Sequence, residues 1–315
     1  MKRDSKIFVA GHNGMVGSAV VRQLQKQGYI NIITASHKEL DLTNQQAVNE
    51  YFTNNHIEYV FLCAAKVGGI YANNTYPADF MYQNMMIEMN VINAAFVNKV
   101  TKLLFLGSSC IYPKNCPQPI KEKYLLTSEL EQTNEAYALA KISGLKYCEY
   151  LRKQYGVNFI SAMPTNLYGP NDNYDSLNAH VLPALIRRFH EAKLENKEFV
   201  ECWGDGSPLR EFMHVDDTAK VLIYLMNNYN EMETINVGTS QEYSIKEITN
   251  IVCKIVNYKG EIKWDTSKPN GTPRKLLDLS KLQSIGYNMN FISIEDGILD
   301  TYNDFLTNKN LRLHR

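Results

Sequence analysis

A doubly wound α/β fold is predicted, and three observations predict it. Short apolar runs alternate with helical patterns through the first half of the chain. The glycine turn Gly11-His12-Asn13-Gly14-Met15-Val16-Gly17 directly follows the first run, Ile7-Phe8-Val9-Ala10. Tyr137 and Lys141 stand four residues apart inside a later helical pattern. Strands alternating with helices build a parallel sheet wound on both faces, the Rossmann arrangement.

The elements follow in order from the spacing of apolar residues. Strands are predicted at Lys6–Ala10, Asn31–Ala35, Tyr59–Cys63, Leu103–Gly107 and Asn158–Met163. Helices are predicted between them at Met15–Gln27, Asn44–Asn54, Ala78–Asn98 and Glu135–Gln154. Ligands bind past the carboxyl ends of strands in such sheets. Gly11, Ala64-Ala65, Ser108-Ser109 and Pro164-Thr165-Asn166 all follow predicted strands, so they should converge on one crevice.

After about residue 170 the rhythm changes, with turns at Gly204-Asp205-Gly206, Pro269-Asn270-Gly271 and Thr272-Pro273. The expected division is a cofactor-binding Rossmann domain over 1–170 and a smaller mixed α/β substrate domain over 171–315. Segments near 212–240, namely Phe212–Asn228 and Ile235–Val237, are expected to return to the first domain.

The 315 residues are 44% hydrophobic, enough for a large core and more than one domain. Lys plus Arg and Asp plus Glu both total 33, so no overall basic field points to nucleic acid. No apolar run approaches a membrane span or a signal-peptide core, which leads us to expect a cytoplasmic protein without a membrane partner. The six cysteines form no Cys-x-x-Cys pair and the histidines show no ligand spacing, so neither a metal site nor a disulfide framework is expected.

The glycine run reads as a dinucleotide phosphate turn. Its glycines let the backbone approach a pyrophosphate, whose charge the helix N-terminus attracts. Tyr137 and Lys141 share one helix face. An ammonium beside a phenol is expected to lower its pKa from the free value of about 10. Tyr-x-x-x-Lys alone arises often on exposed helices. Ser108 strengthens the reading, because its hydroxyl can bind a substrate carbonyl while Tyr137 supplies the proton. Lys141 can also hold ribose hydroxyls. A nicotinamide cofactor and such a Tyr are the equipment for carbonyl reduction.

Longer strings carry a resemblance. They are Ala64-Ala65-Lys66-Val67-Gly68-Gly69-Ile70, Asn73-Asn74-Thr75-Tyr76-Pro77-Ala78-Asp79-Phe80, Leu106-Gly107-Ser108-Ser109-Cys110-Ile111-Tyr112-Pro113 and Pro164-Thr165-Asn166-Leu167-Tyr168-Gly169-Pro170. Trp203-Gly204, Arg210-Glu211-Phe212-x-His214-Val215-Asp216-Asp217 and the stretch from Asp265 to Lys275 complete them. From Lys6 to about Phe305 the chain resembles the GDP-L-fucose synthases, extended short-chain dehydrogenase/reductases.

The resemblance implies epimerisation of GDP-4-keto-6-deoxy-D-mannose at C3 and C5, then NADPH-dependent reduction at C4. It implies catalytic roles for Ser108, Cys110, Tyr137, Lys141 and His180, with Cys110 and His180 as the epimerising pair. Taken singly, Cys110 reads as a buried thiol and His180 as a capping or core histidine. Contacts to NADP(H) are expected from Gly11, Asn13, Gly14, Met15, Val16 and Gly17, and from His37, Lys38 and Asp41. Ala64, Ala65, Leu106, Gly107, Ser108, Tyr137, Lys141, Pro164, Asn166, Leu167 and His180 are expected to line the same cofactor. Ser109, Asn166, Arg188, Trp203, Arg210 and Lys275 are expected at the nucleotide sugar, where arginine forks suit a diphosphate. Arg274 is a further candidate there. The family's dimer implies a homodimer built on the helices Ala78–Asn98 and Glu135–Gln154.

One departure bears on the cofactor. Some relatives carry arginines where this chain has Asn13 and His37, so two contacts to a 2′-phosphate are missing. Ser36, Lys38 and a protonated His37 can compensate. No acidic residue ends the second strand to favour NAD. The closest rival is a pure C4 reductase of a related GDP-4-keto-6-deoxy sugar or heptose. A dehydratase or 4-epimerase with tightly held NAD is disfavoured, because Ser109-Cys110 stands where a dehydratase places an acidic pair. A non-enzymatic binding protein is disfavoured because both Tyr137 and Lys141 are kept.

Overall fold

The computed structural model describes residues 1–176, 178–268 and 270–313. Leu177 and Pro269, which belong to segments quoted above, lie outside the described residues. The chain runs β1 (Ile7–Ala10), α1 (Met15–Lys26), β2 (Ile32–Ile33), α2 (Gln45–Asn55), β3 (Tyr59–Leu62), α3 (Ile70–Thr75), α4 (Pro77–Val97), β4 (Lys102–Leu106), α5 (Glu135–Tyr155) and β5 (Phe159–Pro164). It continues through β6 (Asn166–Tyr168), α6 (Val181–Leu194), β7 (Phe199–Trp203), β8 (Leu209–His214), α7 (Val215–Asn228), β9 (Ile235–Val237), β10 (Glu242–Ser244) and α8 (Ile245–Val256). It ends with β11 (Glu261–Asp265), β12 (Arg274–Lys275), α9 (Ser280–Ser284) and α10 (Ile294–Thr307).

Six parallel strands form one sheet in the order β2-β1-β3-β4-β5-β9. Alternate strand residues face opposite sides. Phe8, Val60, Leu62, Leu103 and Phe105 pack on the side of α2, α4 and α5. Ile7, Val9, Phe61, Leu104 and Leu106 pack on the side of α1 and α7. Both faces are therefore covered, which is why the strands read as unbroken apolar runs. From β1 the chain crosses to β2 on one side and to β3 on the other. This reversal opens a crevice past the carboxyl ends of β1 and β3.

β2 is shorter than the predicted Asn31–Ala35. Ser36 donates from its amide and hydroxyl to Glu39 Oε2, both at 2.7 Å, and Glu39 N returns to Ser36 O at 3.0 Å. This local turn takes the chain off the sheet edge. α3 was not predicted, because Ile70–Thr75 is short and its apolar residues Ile70 and Tyr71 are exposed.

In the remainder, β8 pairs with β6, β10 and β12, while β7 pairs with β11. Helices α6, α8 and α10 bury Phe189, Ile248 and Ile298 in a cluster that includes Tyr168 and Tyr174. α7 packs beside α1, where Arg22 Nη2 meets Asp216 Oδ1 at 2.6 Å.

Asp172 lines a cavity of about 410 Å³ between the glycine turn and the residues 308–312. It is 4% exposed, and among the described residues its Oδ2 has no hydrogen-bond partner. Burial raises its carboxyl to about 7, against the Asn173 amide and Arg312, which lower it. The folded pKa exceeds the unfolded value near 3.9, so the folded state binds more protons between pH 4 and pH 7. Stability from this group is complete below pH 4 and lost as pH rises through 7. Asp172→Asn stays neutral throughout. It should stabilise the fold by on the order of 2–4 kcal/mol at pH 8 and by little at pH 4, measured by denaturant titration at both pH values. Equal effects at both would refute the linkage.

Candidate active site

The glycine turn has the form of an anion cradle. Gly11 has φ +85, and a Cβ there would lie 2.8 Å from the Ala64 backbone. A Cβ on Gly17 would lie 2.1 Å from Gly11 O. These glycines let the loop close on β3 and on its own helix. α1 begins without a side-chain cap and without an acidic residue in its first turn. Its free amides and dipole therefore suit a pyrophosphate, and these residues fit a dinucleotide. The cradle adjoins Ala64 and Ala65. Asn84 of α4 holds the next residue from both sides, accepting from Lys66 N at 2.9 Å and donating to Lys66 O at 3.0 Å. Sequence reasoning missed Asn84. Its signal was a polar residue in a mostly apolar helix.

At the mouth of β4, Ser108 caps a 3-10 turn over Ser109–Ile111, and its Oγ accepts from Cys110 N at 3.3 Å. Leu106 and Gly107 lead into this turn. Tyr137, in the first turn of α5, packs edge-on against Phe80 with ring centroids 6.3 Å apart. Burial raises its phenol well above 10, and the nearby Cys110 and Glu88 raise it further, while a hydrogen bond with Ser108 opposes them. Ser108, Cys110 and Tyr137 are thus brought together.

The expected lowering of the Tyr137 pKa by Lys141 is corrected here. Lys141 Nζ is 5.8 Å from the Tyr137 ring. It donates to Leu106 O at 3.1 Å and lies 2.9 Å from Glu88 Oε1. The ammonium is paired with a carboxyl that burial itself raises, and burial is the chief reason that Tyr137 holds its proton. That form suits a proton donor.

Burial also raises the Cys110 thiol, opposed chiefly by Lys275, then by Ser108 and Lys141. The thiolate is therefore disfavoured, and Lys275 is the cation that favours it most. β12 places Lys275 opposite Arg210 of β8. The loop after Cys110 is tied to β12 where Ile120 N donates to Leu276 O at 2.7 Å. Glu211, also missed, locks this region: its carboxylate accepts from Thr239 N at 2.6 Å, Ser240 N at 2.8 Å and Leu277 N at 3.1 Å.

His180 sits at the N-cap of α6. Gly69 N donates to Asn178 O at 2.8 Å, holding its segment against the loop after β3. The residue as a whole is exposed, and lost hydration on its packed side lowers the imidazole pKa. Among the described residues no hydrogen bond or ion pair joins His180 to Ser108, Cys110 or Tyr137.

Other expected residues are engaged elsewhere. Asn166 Nδ2 donates to Glu211 O at 2.8 Å. Pro164 ends β5, and Leu167 pairs with Met213. Asp41 accepts from Thr43 N and Oγ1 at 2.9 and 2.8 Å. Ser36 donates its hydroxyl to Glu39 Oε2 at 2.7 Å. Arg274 is paired with Glu242 at 2.5 Å. Arg188 and Trp203 line a separate cavity of about 320 Å³, where Arg188 Nη1 donates to Glu201 O at 2.9 Å. Among the described residues, no three His, Cys, Asp or Glu side chains are placed to hold a metal ion. No helix there is long and apolar enough to cross a membrane.

The profile of the NAD dependent epimerase/dehydratase family matches residues 7–238. GDP-L-fucose synthase 1 of Arabidopsis thaliana is 55% identical over 306 residues, covering 97% of this chain and 94% of that protein. GDP-L-fucose synthase of Escherichia coli (strain K12) is 52% identical over 313 residues, covering 96% of this chain and 97% of that protein. Among solved structures, a GDP-mannoheptose C4 reductase from Campylobacter jejuni with NADP bound superposes with a TM-score of 0.89 at 42% identity, covering 98% of this chain and 100% of that one.

Proposed function

The chain belongs to the NAD dependent epimerase/dehydratase family and, within it, to the GDP-L-fucose synthases, and from this we propose that it epimerises GDP-4-keto-6-deoxy-D-mannose at C3 and C5 and reduces C4, giving GDP-L-fucose. The observation that carries the reading is the meeting of Ser108, Cys110 and a protonated Tyr137 beside a dinucleotide cradle. The heptose C4 reductase favours reduction alone as a second reading. Identities of 55% and 52% against 42% favour the bifunctional one.

The 4-keto group acidifies the neighbouring C–H bonds. Cys110, as thiolate, takes a proton from carbon and leaves an enolate. The hydroxyls of Ser108 and Tyr137 hydrogen-bond the developing oxyanion. His180, as imidazolium, gives a proton to the opposite face and is left neutral, while Cys110 is left as the thiol. NADPH, when bound at Gly11–Gly17 and beside Lys141, supplies the hydride for C4. Tyr137 gives its proton to the C4 oxygen, and Lys141 stands behind it. Arg210 and Lys275 offer adjacent cations for the diphosphate, and Arg188 and Trp203 a pocket for the nucleotide.

Exposed Met81, Tyr82 and Val97 on α4 and Leu139, Tyr150 and Tyr155 on α5 support a homodimer formed by those helices. A cytoplasmic setting suits a reductase whose six cysteines are unpaired.

The test is turnover of the keto sugar with NADPH and with NADH, with the product identified by NMR. GDP-L-fucose and a kcat/KM ratio favouring NADPH are expected. A charge-assisted bond is worth about 1.5–3 kcal/mol, so Asn13→Arg should raise that ratio by about tenfold or more. An unepimerised alcohol would favour the reductase reading, and a strong preference for NADH would refute the cofactor assignment.

A further inference from the structure

After β3 the chain passes from Lys66 to Gly69 before it enters α3. Gly69 N donates to Asn178 O at 2.8 Å, close before His180 in the chain. The approach needs a glycine, because a Cβ on Gly69 would lie 2.7 Å from Ala179 O. The backbone itself makes no such demand: φ is −66° and ψ is −179°, extended angles open to any residue. Asn73 of α3 fixes this part of the loop. It is 7% exposed and donates from Nδ2 to Gly68 O at 2.7 Å and to Gly69 O at 3.0 Å. On the other side, Asp175 Oδ1 accepts from Asn178 N at 2.8 Å, and Asp175 O accepts from Ala179 N at 3.0 Å. The His180 ring makes no capping bond to α6, so its reach is set by the backbone that carries it.

We infer that Gly69 is a positioning residue for epimerisation: clamped by Asn73, it holds the His180 segment against the loop after β3 and so aims the imidazolium at the substrate carbon, opposite Cys110. A misplacement of about 1 Å can cost about a hundredfold in rate. The Cβ of an alanine at Gly69 has to displace a backbone carbonyl, and that carbonyl belongs to the residue next to His180. One position earlier, the same addition meets side-chain atoms at longer range. A Cβ on Gly68 would lie 3.0 Å from the Ala72 Cβ and 3.1 Å from the Phe80 ring. Phe80 packs on Tyr137, so that contact leads to the reducing side of the site, and the contact of Gly69 leads to the epimerising side.

The inference rests on the epimerase reading, and the defect it expects differs from loss of Cys110. In Gly69→Ala, Cys110 still takes the proton from carbon. A deuteron from D₂O then returns through the thiol to the same face, and the configuration is kept. Deuterium should therefore still enter C3 and C5 without NADPH, while inversion falls. With NADPH, the share of GDP-L-fucose relative to unepimerised alcohol should drop by about tenfold or more, while kcat for NADPH oxidation stays within about threefold. Gly68→Ala should keep the wild-type share.

Hydrogen exchange followed by mass spectrometry reads the clamp directly, and residues 178–184 should be less protected in Gly69→Ala than in the wild type. Asn73→Ala, which releases Gly68 O and Gly69 O, should move both readouts in the same direction by less. It carries the test if Gly69→Ala fails to fold. A folded Gly69→Ala with the wild-type share of GDP-L-fucose overturns the inference, as does an equal loss in Gly68→Ala. If wild-type protein inverts neither carbon, the epimerase reading fails and hydrogen exchange alone decides. Unchanged protection of 178–184 in Gly69→Ala then overturns the clamp, and lower protection upholds it.

Discussion

Tyr137→Phe should lower C4 reduction by about 10²–10⁴-fold, the usual worth of a positioned proton donor. The substitution removes one oxygen. The ring keeps its edge-on contact with Phe80 at 6.3 Å, so the fold and the cofactor cradle should be undisturbed. Lys141 stays where Glu88 and Leu106 O hold it. The loss should therefore appear in kcat, with the Kd for NADPH, read by fluorescence titration, changed little. Deuterium exchange at C3 and C5 from D₂O should survive at a reduced rate, because Cys110, His180 and Ser108 are untouched while one oxyanion donor is lost. Turnover at the wild-type rate would show that another group delivers the proton.

What the sequence reveals here follows from how each feature is encoded. The sheet was legible because its strands are buried on both faces, which leaves unbroken runs such as Ile7-Phe8-Val9-Ala10 and Val60-Phe61-Leu62. The pairing of Ser108 with Tyr137 was legible from chain order, since one follows β4 and the other opens α5. Glu88 was not. A single Glu within Met85-Met86-Ile87-Glu88-Met89 gives no hint of its partner, which lies 53 residues further on at Lys141. The expected pKa of Tyr137 was reversed chiefly by burial, which its place in the sequence does not show. The Lys was counted as a bare charge beside the phenol, whereas it is paired with a carboxyl from a different helix. Glu211 was missed for the same reason, since its amide donors come from residues 239, 240 and 277. β2 was over-extended because Ser36 and Glu39 form a local turn that competes with strand pairing.

Cys110→Ser should slow exchange at C3 and C5 by about 10²-fold or more, as expected when a general base is lost. A serine hydroxyl matches the thiol closely in shape, and the Cys110 amide bond to Ser108 Oγ is a backbone contact that the variant keeps. What changes is acidity, since an alcohol ionises far less readily than a thiol. The wild-type pH dependence carries the same signature. Burial raises the Cys110 thiol above its ordinary value, and the base is active only as thiolate. Exchange by the wild type should therefore climb with pH through and beyond the usual thiol range near 8.5, and Cys110→Ser should lose that climb. Tyr137 and Lys141 remain, so direct C4 reduction continues and the product becomes the unepimerised alcohol, GDP-rhamnose or GDP-6-deoxy-talose. His180 replacement should give a related but distinct defect, with one proton removed and none returned from the opposite face. The assay incubates the keto sugar in D₂O without NADPH and follows deuterium at both carbons by NMR. Wild-type protein that incorporates none would remove Cys110 from any epimerising role and leave C4 reduction as the whole activity.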